Sequence, residues 1–235
     1  MDAIIDWVER GIMAEPIADQ PARRRAGRPV KAVLLPDRIT EAALALINSD
    51  GYKGLTMSAL AQRLKVAPSA LYNHVRSKQD VLSLVQDHLM SHIDVSQFQD
   101  KSWDDAVRAW ARAYRDVFAA HIPLIPIIAV QPVTDSPQTL RIYEAVAQGF
   151  RNDGWLEQDI VDAIVVLESY IYGAAFDVNA PEEIFDCGSL APEAPFFSTA
   201  VQARENFFGR YNAERAFAMG LDAIIVGLKS REAFT

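Results

Sequence analysis

Between Leu55 and Lys78 the chain reads LTMSALAQRLKVAPSALYNHVRSK, and few folds accommodate that order of residues. Thr56 is placed to N-cap a helix from about Met57 to Lys65, with Leu55 and Leu60 as a hydrophobic staple and Leu60 and Leu64 stacked on one face. Pro68 fits the first position of a second helix, where its missing N–H costs nothing. Leu71 and Val75, four residues apart, give that helix a buried side, so Ser69 and Asn73 point outward, flanked by Ala70, Tyr72 and His74. Core packing makes no demand for such a face. It is short, neutral and rich in hydrogen-bonding groups, and Arg76 and Lys78 follow it. Two short helices joined by a three-residue turn read as a helix-turn-helix, whose second helix enters the major groove of DNA. The plainer reading is a helical hairpin on the surface of an all-α protein.

The flanks are helical too. Asp37 is placed to cap a helix with the stripe Ile39, Ala42, Ala43, Leu46 and Ile47, which Gly51 ends. Ser77 and Asp80 open a further helix, reaching about Ser96, in a capping-box arrangement with Val81, Leu82, Val85, Leu89 and Ile93 on its buried side. From Trp103 onward the pattern predicts helices over Trp103 to His121, Ile122 to Val130, Ser136 to Asn152, Leu156 to Asp177, Ser198 to Tyr211 and Ala213 to Lys229. Asn179 to Phe197, with Pro181, Pro192, Pro195 and Gly188, reads as a long loop. Strand alternation is absent, so the fold class is all-α. A three-helix helix-turn-helix head (37–83) follows an N-terminal extension (1–36) and joins a larger helical core (84–235), with the Ser77 to Ser96 helix as the lever between them.

The run Leu55-Thr56-Met57-Ser58-x-Leu60-Ala61-x-x-Leu64-x-Val66-x-x-x-x-Leu71-Tyr72-x-His74-Val75-x-x-Lys78 resembles the DNA-binding domain of the tetracycline-repressor (TetR) family of bacterial regulators. The likeness extends from about Arg38 to Leu89, and the C-terminal half resembles that family more loosely. The resemblance implies a ligand-responsive repressor that binds a palindromic operator as a homodimer, with Thr56, Tyr72 and Lys78 positioned on phosphates. By their chemistry Asn73 can read adenine, His74, Ser69 and Ser58 can donate or accept, and Ala70 can touch a thymine methyl. Ser58 stands where the family's tetracycline-responsive members carry a base-reading arginine, and Lys65 where a turn glycine is usual. The operator sequence therefore does not carry over.

Charge supports a DNA-facing end. The chain carries a net −8, yet Pro21 to Gln79 holds 11 Lys and Arg against Asp37, Glu41 and Asp50. A basic segment on an acidic body docks one end on phosphates and keeps the rest off them. Glu15 to Lys31 reads as an aperiodic arm containing Arg23, Arg24, Arg25 and Arg28. Its Gly27-Arg28-Pro29 core resembles an AT-hook suited to a narrow minor groove, the plainer reading being a solvated basic tail. A short amphipathic helix over residues 2–13 is also predicted. Prolines 123, 126 and 132 break the most apolar stretch below the roughly 18 residues a membrane span needs, so a cytoplasmic protein with no membrane partner is expected. The single cysteine, Cys187, excludes an intrachain disulfide and reads as a small hydrophobe in a loop.

Trp103, Trp110, Tyr114 and Phe118 share one helix with Val107 and Val117, which is a core stripe and equally the wall of an apolar pocket. By the resemblance, Asp94, Trp110, Tyr114, Ile128, Gln131 and Glu144 fall where the family's drug-contacting residues lie. Ile128 replaces the histidine that holds drug-bound magnesium there, so a less polar organic effector is implied. His88 and His92 are spaced to clasp a metal, but without a third ligand they read as a surface pair, and neither metal nor cofactor is expected. His121, at a helix end, is placed to complement the dipole. Leu156 to Asp177 is apolar almost all round, and Ala216, Gly220, Ala223 and Gly227 form a small-residue seam. These two helices are candidates for a four-helix dimer interface, with packing inside one chain as the alternative. Two other classes remain open: a small-molecule-processing helical enzyme, for which no phosphate loop or nucleophile elbow is present, and a non-specific nucleoid-type DNA binder.

Overall fold

The computed structural model describes residues 35–134 and 136–230. The helix expected over residues 2–13 and the arm with Arg23, Arg24, Arg25 and Arg28 lie outside them. Among the described residues there are eleven α-helices and no strand.

Helix α1 (Pro36–Gly54) buries Ile39, Ala42, Ala43, Leu46 and Ile47, the stripe its spacing predicts. Its cap corrects the sequence reading. Extended Leu35 is the N-cap and Pro36, with φ preset for a helix, takes the first position, which puts Asp37 in the first turn against the amide end of the dipole. Gly51 interrupts the helix at φ +69°. In α2 (Met57–Leu64) the Thr56 hydroxyl accepts from the Ala59 N–H at 3.1 Å. At its end Lys65 adopts the left-handed conformation, φ 57° and ψ 42°, while Val66 N–H donates to Ala61 O and Lys65 N–H to Gln62 O, both at 3.0 Å. That is a Schellman ending built on a lysine in place of glycine.

Helix α3 (Pro68–Leu71) is shorter than expected, with Tyr72 to His74 in a turn. Leu71 O accepts from both His74 N–H (2.9 Å) and Val75 N–H (3.1 Å), so the chain tightens into its last turn before Ser77 starts the next helix. Leu71 and Val75 are buried as predicted. Helix α4 (Lys78–Ser91) opens on a capping box: Ser77 Oγ accepts from Asp80 N–H and donates to Asp80 Oδ1, while Asp80 Oδ2 accepts from Arg76 N–H at 2.8 Å. These bonds hold the Asp80 carboxyl below its ordinary pKa. The lever stops at Ser91 instead of Ser96, because Asp94 Oδ1 captures Ser96 N–H at 2.9 Å and turns the chain.

The body comprises α5 (Gln97–Asp100), α6 (Trp103–Ala119), a 3-10 turn (Ile122–Leu124), α7 (Ile125–Ile128), α8 (Pro137–Asn152), α9 (Glu157–Asp177), a second 3-10 turn (Gly188–Glu193) within the segment read as loop, α10 (Pro195–Phe208) and α11 (Ala213–Ser230). Helix α10 begins three residues before its predicted start, since Pro195 takes its first position. Helix α4 packs on α1 at one end and α8 at the other, α6 lies against α9, and α9 against α11. One hydrophobic core runs from Ile39 to Leu228 through these contacts.

Candidate DNA-reading face, effector core and dimer seam

The head presents its candidate readers to solvent. Thr56, Ser58, Ser69, Tyr72, Asn73 and His74 are exposed and Ala70 is half-buried. Arg63, Lys65 and Arg76 are exposed around them, so the polar turn sits in a cationic frame suited to phosphate. Lys78 is placed differently. It is half-buried, its Nζ donates to Tyr52 O at 3.0 Å and stands 3.6 Å from the Tyr52 ring centre. A lysine whose ammonium lies on the carbonyl end of α1 ties the lever to the head and retains two protons for a phosphate.

In the body, Trp110 and Tyr114 of α6 are fully buried, with ring centres 5.6 Å apart, and Ile128 is buried. Gln131 is half-buried and donates from Nε2 to Ser83 Oγ on the lever at 3.2 Å. Asp94 and Glu144 are exposed and do not share the buried cluster. What surrounds Tyr114 was not singled out in the sequence. Its hydroxyl donates to Glu168 Oε1 at 2.9 Å and lies 2.8 Å from the Tyr172 hydroxyl, and Tyr143 also donates to Glu168 Oε1 at 2.9 Å. Burial pushes the Glu168 carboxyl above its ordinary value against the pull of the two phenols, and burial likewise raises the Tyr114 phenol. A lone acid amid apolar neighbours on α9, four residues before a tyrosine, was the available signal.

A polar clasp joins this body to the lever. Asp87 Oδ1 accepts from Gln138 N–H at 2.6 Å, and Gln86 donates to Thr139 Oγ1 at 3.4 Å. The N-cap residue of α8, Ser136, makes no side-chain capping bond, and its buried Oγ has no partner. Asp87 thus caps α8 from another helix.

His88 and His92 meet edge to face at 4.7 Å, with His92 Nδ1 2.8 Å from His88 O. No group of three or more His, Cys, Asp or Glu among the described residues is arranged to hold a metal ion. His121 has a buried Nδ1 without a partner, and burial lowers its pKa, which disfavours the charged form a dipole partner needs.

Helices α9 and α11 leave apolar side chains uncovered. Val161 and Val226 are 67% and 66% exposed, and Val165, Val166, Phe176 and Met219 are exposed with them. On α11 the exposed set Ala216, Met219, Ala223 and Val226 follows three-four spacing, while Phe217, Leu221, Ile225 and Leu228 face the chain's own core. Gly220 belongs to the inner side: a Cβ there would overlap the Tyr170 hydroxyl, which donates to Phe217 O at 2.9 Å. Packing inside the chain therefore already calls for a glycine at Gly220, which is half-buried, whereas Gly227 faces open space.

Two family profiles match this chain, "Bacterial regulatory proteins, tetR family" over residues 39–85 and "Tetracyclin repressor-like, C-terminal domain" over residues 97–231. The chain belongs to the tetracycline-repressor family. Among similar proteins, the transcriptional repressor DrrR1 of Streptomyces coeruleorubidus is 29% identical over 221 residues, covering 88% of this chain and 81% of that protein. The class A tetracycline repressor from transposon 1721 of Escherichia coli is 28% identical, covering 84% and 92%. The Streptomyces coelicolor TetR-family protein ActR, solved in complex with (S)-DNPA, matches with a TM-score of 0.65 at 25% identity, covering 84% and 98%. The chain is a DNA-binding transcriptional regulator with a helix-turn-helix head and a larger helical C-terminal domain, and its TetR-family relatives are regulators, not enzymes. No helix of the described residues is long and apolar enough to cross a membrane.

Proposed function

We propose that this TetR-family regulator represses from a palindromic operator as a homodimer and is released when a small organic effector enters the core between α6, α8 and α9. The observation that carries the reading is α4, a single helix fastened at one end to the head by Lys78 and at the other to α8 by Asp87 and Gln86. Trp110 and Tyr114 are buried, so a ligand reaches them only by displacing what covers them, and that displacement shifts α8 and the clasp. Two recognition turns must sit in major-groove segments about 34 to 36 Å or a multiple apart, so a small pivot of α4 misaligns them. Release by a hundredfold needs an effector preference of about 2.7 kcal/mol for the non-binding dimer, within ordinary allosteric coupling. ActR with bound (S)-DNPA supports an effector-binding body. The uncovered faces of α9 and α11 are the surfaces for the second chain.

Ser58, Ser69, Ala70, Asn73 and His74 read bases in this scheme, while Thr56, Tyr72 and Lys78 position phosphates. Selection from random duplexes followed by mobility shifts tests it. Asn73→Ala should weaken the selected site by roughly 1 to 3 kcal/mol and relax one base pair, whereas Lys78→Ala should weaken all duplexes alike and reduce the salt slope by about 1. No enrichment of any sequence, with equal binding to all duplexes, would identify a non-specific binder instead.

A further inference from the structure

Glu168 lies midway along α9, a helix whose fully buried residues are all apolar. Its Oε1 is shared by two phenols, and no cation bears on it among the described residues. The guanidinium next to Tyr114 in sequence, Arg115, is taken by Asp116 and Glu214, each at 2.8 Å. Two neutral donors leave a desolvated carboxylate without the countercharge that buried charges ordinarily find. Around it stand aromatic rings: Tyr172 lies 5.1 Å from Phe118 and 5.5 Å from Tyr114, and Tyr114 lies 5.2 Å from Phe118. Tyr143, Glu168 and Tyr172 are only partly buried, so the rim of this group reaches the surface over a floor of Trp110, Tyr114 and Phe118. A second, separate observation is the Trp110 indole N–H, buried without a hydrogen-bond partner one ring away from Tyr114.

We propose that Glu168, with Tyr114, Tyr143, Tyr172 and Phe118, makes the effector core selective for an organic cation, an aryl or arylalkyl amine whose protonated nitrogen pairs with the carboxylate. The aromatic faces attract the same charge, and the hydrocarbon part lies toward Trp110, whose N–H takes an acceptor on the ligand. An anion is repelled by Glu168, and a neutral hydroxyl can donate to the carboxylate but brings it no countercharge. The selectivity rests on the effector-core reading and deepens it by naming the chemical class.

Three naphthalenes of one shape and different charge test it by calorimetric titration of the intact protein: 1-naphthylmethylammonium, 1-naphthylmethanol and 1-naphthoate. The ammonium should bind at least tenfold more tightly than the alcohol, and the carboxylate most weakly. Glu168→Gln keeps an acceptor for both phenols, so the fold is retained, and it should reduce the ammonium to the affinity of the alcohol while leaving the alcohol unchanged. Tyr143→Phe, which keeps the carboxylate, should preserve the preference for the cation. Equal binding of the three, no binding of any, or an ammonium preference that survives in Glu168→Gln overturns the proposal. Mobility shifts with the selected duplex keep this proposal apart from the effector-core reading on which it rests. Release of the duplex by all three naphthalenes alike sinks the cation preference and leaves the effector core standing, whereas Glu168-dependent ammonium binding that leaves the duplex bound supports the cation site and sinks the effector role.

Discussion

Lys65 carries the chain through φ 57°, ψ 42°, where a Cβ crowds the following carbonyl at a cost of roughly 1 to 2 kcal/mol that glycine escapes. Lys65→Gly should therefore raise stability by about 1 kcal/mol in urea unfolding, less the greater freedom glycine has when unfolded. Glu168 gives a test in pH. Its carboxyl is held above the ordinary value in the fold, so between the unfolded and folded values the native state holds the proton and the unfolded chain has lost it. The contribution of this group is full in acid, below the unfolded value, and is lost as pH rises through the folded value. Glu168→Gln does not titrate, and its stability relative to wild type should be greater at pH 7 than at pH 4.5 in paired urea melts; an unchanged difference would remove Glu168 from the linkage. The capping box of Ser77 and Asp80 was legible in the sequence because its partners are three residues apart. The Tyr114, Tyr143 and Glu168 group was not, since three helices must pack before those oxygens meet.

At the scale of elements, periodicity located most of the body helices to within a few residues, and the misses have local causes. Helix α3 stops early because its carbonyl at Leu71 is shared by two donors, and α4 stops early at the Asp94 turn, neither of which alters the apolar spacing that periodicity reads. The small residues of α11, Ala216, Gly220, Ala223 and Gly227, share one arc of the helix, but Gly220 lies at its inner edge under the Tyr170 hydroxyl while the other three are exposed. Gly220→Ala should destabilise by about 1 to 3 kcal/mol, as overpacking against Tyr170 does. Gly227→Ala faces open space in the single chain, so it should gain up to about 1 kcal/mol of helix propensity. A loss there in chemical denaturation would show that a second backbone approaches at Gly227. Asp87→Ala removes the only side-chain cap that α8 receives among the described residues and should cost about 1 kcal/mol. Its diagnostic effect is a weaker influence of effector on operator affinity in paired mobility shifts.

Across the whole molecule, the sequence showed a cationic head on an acidic body, and the structure adds apolar surface on the body that a single chain leaves wet. Val165→Asp together with Val226→Asp should separate the two copies in sedimentation and weaken operator binding in step; an intact, operator-competent dimer would place the seam elsewhere. Helix α10 states the requirement most sharply. None of its 14 residues is buried, and Phe196 is 92% exposed. An isolated helix of that length is marginal in water, and most helical stability comes from packing of an apolar face. Within the chain α10 leans on the 3-10 turn before it and on Phe185. Where the second copy of the proposed homodimer covers the rest, thermal unfolding should shift upward with protein concentration, and backbone amides from Phe196 to Phe208 should exchange with solvent faster on dilution than those of α6. In a cell, the amount of regulator present would set how much of it is fully folded, before any effector arrives.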